Sequence, residues 1–268
     1  LPSLAVAYTA RPPRASDVPR TPCAAWSDDL LVLRRVDGPA IPMVATVSVA
    51  RAVRGALMWH ATDPVPEILS GHAPDGGPSQ RNHIAFVPLP FIGHQHASGA
   101  LLGVALAIPA DATDDERRAI YLALDAWEHA SMPTSGDDES GPRMTLRLGA
   151  AGVWRLQRTE FGSATPKTLH AETSRAWSTA TPIALDRHRD CAAKTIARAC
   201  ERIGLPRPIS VDVLPHAPIV GTVPAGAFAA YRARPLTHAR LTFAEPVRGP
   251  VLLGAGRHYG LGLLRAAR

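Results

Sequence analysis

Two histidines, His94 and His96, flank one residue in the glycine-bounded segment Gly93 to Gly99, and a third, His72, lies in another such segment, Ser70 to Gly76. An unperturbed imidazole titrates near pH 6.5, so paired histidines can supply a base and an acid to one reaction near neutrality. Cleavage of RNA by its own 2′-hydroxyl needs that service. A base takes the 2′-OH proton, an acid protonates the departing 5′-oxygen, and an arginine or lysine stabilises the phosphorane-like transition state. His94, His96 and His72 are therefore the candidate catalytic residues. Two other readings stay open: a polar hairpin tip that simply faces water, and a metal centre in which His94 and His96 join an acidic partner such as Asp75. No third ligand stands close by in sequence, so neither a metal nor any other cofactor is expected.

Near the C-terminus, Gly254, Gly256, Gly260 and Gly262 surround Arg257, His258 and Tyr259. Dinucleotide and P-loop phosphate cradles need a helix N-terminus after their glycines, and no helical pattern follows here. What remains is a backbone able to approach a ligand closely, with a cation and two stacking faces projecting from it. These seven residues, with Arg248 and Lys194, are the candidate RNA contacts; the plainer reading of the glycines is a tight hairpin. His60, His129, His170 and His188 read as ordinary surface residues. No Gly-x-Ser-x-Gly elbow or His-Glu-x-x-His pair is present. The three cysteines, Cys23, Cys191 and Cys200, are widely spaced, which argues against a disulfide framework and a cysteine zinc site and fits a reducing cytoplasm.

The 268-residue chain has 46% hydrophobic residues and a net charge of +6. That balance fits a globular protein with a polyanionic partner, because each phosphate neutralised by a cation releases condensed counterions. The cations are almost all arginine, the lysines being Lys167 and Lys194 alone. Arginine forks suit phosphates and bases, although a GC-rich genome produces the same bias. No window reaches the roughly 18 apolar residues of a membrane-spanning helix, so no membrane partner is expected.

The elements that must position these residues can be read from periodicity. Leu30 to Arg35 reads as a strand, Val44 to Trp59 as a helix, His83 to Pro90 and Leu101 to Ile108 as a hairpin around the Gly93 to Gly99 turn. Thr113 to Glu116 has capping-box spacing ahead of Ile120, Leu124 and Trp127, predicting a helix from Asp114 to His129. After the acidic loop Gly136 to Gly141, Met144 to Leu148 and Val153 to Arg158 alternate as strands. The order contains β-α-β-β-α-β, a ferredoxin-like module. A second half repeats the beginning: strand Pro182 to Leu185, helix Cys191 to Ile203 closed by Gly204, and strands Ile209 to Leu214 and His238 to Phe243. No convincing second helix follows. The expected fold class is α+β, with two tandem ferredoxin-like modules, the second degenerate and carrying the glycine-rich loop. Residues 1–27 read as a linker from a missing upstream domain, 28–160 as the first module and 161–268 as the second.

Ser70 to His72, the string His83 to Gly99 and the ending Gly254 to Arg265 together resemble the fused CRISPR protein of type I-G (formerly I-U) systems, which joins a Cas-five-like half to a Cas-six-like half. The resemblance runs from about Asp28 to the C-terminus and covers the Cas-six-like half. It implies a repeat endoribonuclease that leaves a 2′,3′-cyclic phosphate without a metal. The RNA partner is then CRISPR repeat RNA and its mature guide product, retained among the other subunits of a type I effector complex. Relatives of the Cas-six type place a catalytic histidine near the first helix, where this chain offers His60. A subunit that only holds the guide-RNA handle is the non-catalytic alternative.

Overall fold

The structure, a computed structural model, describes residues 21–22, 24–27, 30–132, 143–159, 172–186, 191–228 and 234–267. Residues 1–20 of the expected linker, Cys23, the loop Gly136 to Gly141, Lys167, His170 and His188 lie outside the described residues.

The first half runs β1 (Leu31–Asp37), α1 (Thr46–Trp59), the single turn α2 (Glu67–Ser70), β2 (Ala85–Pro90), β3 (Leu101–Ala107), α3 (Asp114–Ala130), β4 (Met144–Arg147) and β5 (Val153–Thr159). Its strands form one antiparallel sheet in the order β2-β3-β1-β5-β4. Strand periodicity divides the sheet's side chains between two faces. Leu33, Phe86, Val104 and Leu106 pack with α1 and α3, whereas Val32, Val87, Leu89 and Ala105 pack with the second half. That is why β2 is buried along its whole length. Helix α3 starts where the capping box predicts. The Thr113 hydroxyl accepts from the Glu116 N–H at 3.2 Å, and the Glu116 carboxylate accepts from the Thr113 N–H at 2.8 Å.

The second half begins earlier than its sequence pattern suggests. Thr173–Thr179 forms β6, followed by the short β7 (Ile183–Ala184), α4 (Ala192–Arg202), β8 (Ser210–Leu214), β9 (Leu236–Arg248) and β10 (Leu264–Ala266). β6 carries mostly Thr, Ser and Arg, so it lacks an apolar alternation to read. β9 is 13 residues long and pairs antiparallel with β6, β7 and β8, while β10 pairs with β6. No α-helix separates β9 from β10 among the described residues; the glycine-rich segment occupies that place and contains one 3-10 turn, Arg257–Tyr259. Ala24 and Trp26, at the end of the expected linker, are buried in the core that joins the halves. Among the described residues, no helix is long and apolar enough to cross a membrane.

Candidate functional site

The glycine-rich segment is fastened to its own half and pressed against the other. Thr181, fully buried, donates its hydroxyl to the Gly260 carbonyl at 2.7 Å and accepts from the Leu263 N–H at 3.0 Å. The Gly262 N–H reaches the Pro182 carbonyl at 2.8 Å. Gly260 has a φ of +75°, and a Cβ there would stand 2.4 Å from Pro88 Cδ and 3.0 Å from Thr46 Cγ2. Only glycine permits that backbone to touch β2 and α1 at once. Gly254, Gly256 and Gly262 are likewise buried against the chain's own atoms. Their shared effect is to deliver Arg257, His258 and Tyr259 to the first half.

The His258 ring stacks on His83 with centroids 3.7 Å apart and an interplanar angle of 20°, and meets Trp26 edge-on at 6.0 Å. The Arg51 guanidinium lies 5.7 Å from the Tyr259 ring. Burial, reinforced by the Arg54 and Arg257 charges and by His72, pushes the His83 imidazole down to about 4. Burial, His83 and Arg257 push His258 down to about 2. Both rings are thus neutral at pH 7. His83 Nδ1 points at the Ile84 carbonyl at 3.1 Å, and a Cβ on Gly71 would stand 2.8 Å from its Nε2, so neither nitrogen of His83 faces open solvent.

His72 differs. It is exposed, and its Nδ1 lies 2.9 Å from the Ser70 carbonyl, which also accepts from the Arg54 guanidinium. In the neutral ring a nitrogen facing a carbonyl carries the proton, and the lone pair then sits on Nε2. Four polar atoms on the elements that meet here, Thr46 Oγ1, Arg54 Nε, Arg257 Nε and His258 Nδ1, are buried with no hydrogen-bond partner. The site therefore combines the exposed imidazole of His72, two arginines and the stacked rings of His83 and His258.

The other sequence candidates lie elsewhere. His94 and His96 are exposed at the tip of the β2–β3 connection, with ring centroids 5.9 Å apart and the His96 N–H donating to His94 Nδ1 at 3.3 Å. The tip is tied to the second half by the Gly93 N–H, which donates to the Val220 carbonyl at 2.7 Å. Gly93, Ser178, Arg240 and Arg265 line a cavity of about 360 Å³ beside it. No ring contact or hydrogen bond among the described residues joins His94 or His96 to His72, His83 or His258. Arg248 ends β9, its N–H donating to Pro22, and Lys194 is exposed on α4. Among the described residues no three His, Cys, Asp or Glu side chains are placed to hold one metal ion. The Asp75 carboxylate accepts from the Gly77 N–H.

His83, Arg54, Trp26 and Thr181 are the residues that sequence reasoning passed over. His83 opens a buried strand and reads as its polar start; Arg54 reads as the solvent side of an amphipathic helix. The quoted strings that contain His72, His83 and His258 held the only signal, and their meeting is a tertiary fact.

An α+β chain of two antiparallel sheets, with histidines and arginines at the junction, is the class that fold and site define. The chain belongs to the GSU0054 family of CRISPR-associated proteins, whose family model matches residues 10–198. That span includes His72, His83, His94 and His96 and ends before the glycine-rich segment. No curated protein matches the chain. Among solved structures, a CRISPR-associated protein Cas6 aligns with a TM-score of 0.41 at 10% identity over 89% of this chain and 98% of that one. A Cas6 product complex aligns with a TM-score of 0.39 at 13% identity over 90% and 99%. Scores of that size do not establish a shared fold.

Proposed function

We propose that this protein cleaves CRISPR precursor RNA within its repeat, at the junction of α1, the Ser70–His72 turn and the glycine-rich segment. The observation that carries the reading is His72, whose Nδ1 is committed to the Ser70 carbonyl beside Arg54, leaving Nε2 free to act as a base. In this mechanism Nε2 takes the 2′-OH proton, the oxygen attacks the adjacent phosphorus, and a 2′,3′-cyclic phosphate forms as the P–O5′ bond breaks and the departing 5′-oxygen takes a proton from water or from the His72 imidazolium. Arg54 and Arg257 stabilise the charge that builds on the phosphorane. Tyr259 offers a stacking face for a base, His258 props the segment against His83, and no step calls for a metal ion. Membership of a CRISPR-associated family and the net charge of +6 favour repeat RNA as substrate.

The same reading treats 28–160 and 161–268 as tandem ferredoxin-like modules. The order β2-β3-β1-β5 is the first, with β4 added at its edge; β10-β6-β9, with β8 and the short β7 both paired to β9, is the second, with the glycine-rich segment in place of its second helix. It also places the chain in the cytoplasm as the Cas-six-like half of a type I-G fused protein, passing its product to other effector subunits, with Lys194 and Arg248 as additional RNA contacts. A second reading puts the chemistry at the hairpin tip, where His94 and His96 stand beside the cavity that Arg240 and Arg265 line.

One experiment separates these. The chain is incubated with its own repeat RNA in excess EDTA, as wild type and as His72→Ala, His94→Ala and His96→Ala, and products are resolved on a denaturing gel. The expected result is cleavage in chelator, reduced roughly 10²- to 10⁴-fold by His72→Ala with binding unchanged. Loss in His94→Ala or His96→Ala instead moves the chemistry to the tip. Tight binding without cleavage in every variant makes the chain a handle-binding subunit.

A further inference from the structure

A second cavity, of about 550 Å³, lies where α1 and α3 end against the edge strand β4. Trp59, His60, Trp127, Thr145, Arg147 and Arg155 give it its character, and no acidic residue lines it. Trp59 is 85% exposed, while Trp26, Trp127, Trp154 and Trp177 are at most 2% exposed. An indole left almost entirely in water at a cavity mouth is an aromatic plane without a partner. His60 stacks on Trp127 at the cavity wall with centroids 6.4 Å apart and planes within 13°, so the aromatic surface continues inward. On the other side Arg147 and Arg155 rise from β4 and β5. Arg155 donates to the Thr145 hydroxyl, and neither arginine is in an ion pair among the described residues.

An aromatic wall beside two arginines that form no ion pair among the described residues, in a space of that volume, is complementary to a flat ring that carries a negative charge. We propose that this cavity binds one nucleotide unit, its base stacked on Trp59 and its phosphate held by Arg147 and Arg155. The last turns of α1 and α3 meet at the rim, and the negative ends of their dipoles suit the exocyclic amine of adenine or cytosine. The site is separate from the His72 junction, so it stands or falls independently of the cleavage reading. Bound there, an RNA strand would be gripped at a second point on the first half.

Trp59 is its own reporter, because stacking quenches an exposed indole and leaves four buried ones untouched. The full chain is titrated with adenosine monophosphate and, separately, with a hexamer of riboadenylate, following tryptophan fluorescence. Saturable quenching is expected, abolished by the double variant Arg147→Glu, Arg155→Glu and unchanged by His72→Ala. By anisotropy of labelled hexamer, Trp59→Ala should weaken binding on the order of 10- to 100-fold, the value of one stacked base. Because Trp59 is exposed, that variant should keep the wild-type melting curve, which the same samples check. Quenching by both ligands means that the cavity takes a free nucleotide; quenching by the hexamer alone means that it reads an RNA chain. Absence of quenching by either ligand, or hexamer affinity untouched by Trp59→Ala and by the double arginine variant, overturns the proposal.

Discussion

The Ser70 carbonyl receives two donors, the Nδ1–H of His72 and the guanidinium of Arg54, and this pairing fixes both what His72 can do and what stands beside it. His83 and His258 are held neutral instead, and that has a consequence for stability. In the unfolded chain each titrates near 6.5; folded, their values are about 4 and about 2. Below pH 6.5 the unfolded state binds more protons than the native state, so stability must fall as pH falls. The loss accumulates as pH falls below 6.5 and ceases for each group once pH passes its folded value. Denaturant melts between pH 7.5 and 4.5 should show this decline, and His258→Phe, which keeps a stacking ring without a basic nitrogen, should flatten it. A pH-independent midpoint in the wild type would place both rings in contact with water. His238 adds in the same direction: it is fully buried between Thr179 and the Val223 carbonyl, and burial lowers its value.

At the scale of elements, the glycine-rich segment behaves as a wedge whose shape depends on absent side chains. Gly260→Ala would force a Cβ into Pro88 and Thr46 in a left-handed backbone conformation, so it should cost about 1–3 kcal/mol and withdraw Arg257 and His258 from His83. Gly226→Ala, with nothing within 4 Å of the new Cβ, is the matched control and should leave the melting temperature unchanged. Thermal unfolding of both variants decides whether the segment is a structural wedge or a loose loop. Helix α3 depends on its own start: Thr113→Ala removes the hydroxyl that caps the Glu116 N–H, keeps the backbone N–H that donates to the Glu116 carboxylate, and should lower stability by about 1 kcal/mol. The pattern Thr-x-x-Glu is legible because capping is local. β6 was not legible, because a strand of Thr, Ser and Arg is chosen by its neighbours β9 and β10 and not by its own alternation.

For the whole molecule, the two halves share the core that contains Trp26, Val87, Leu241 and Leu264, and the candidate site forms on that seam. The charge of +6 acts at this scale. Repeat-RNA affinity should fall linearly with the logarithm of salt concentration, and Arg54→Ala should reduce the slope by about 1 if that guanidinium meets a phosphate. A filter-binding series at several salt concentrations measures both, and an unchanged slope in the variant would remove Arg54 from the RNA path.

What the sequence alone determined is what depends on near neighbours: the first half's run of strands and helices, the capped start of α3, the end of α4 at Gly204, the basic balance and the absence of familiar hydrolase motifs. It also marked His72 as a candidate and the strings that hold His83 and His258 as distinctive. Only the tertiary structure decided which histidines meet. His72, His83 and His258 come from a turn, a strand start and the C-terminal segment, and no periodicity relates them. His94 and His96, one residue apart in sequence and so the easiest to notice, are turned to solvent at a hairpin tip. The physical reason is range: propensity, alternation and capping act over a few residues. The burial that neutralises His258 and the backbone approach that requires Gly260 arise only when two separate cores close on each other.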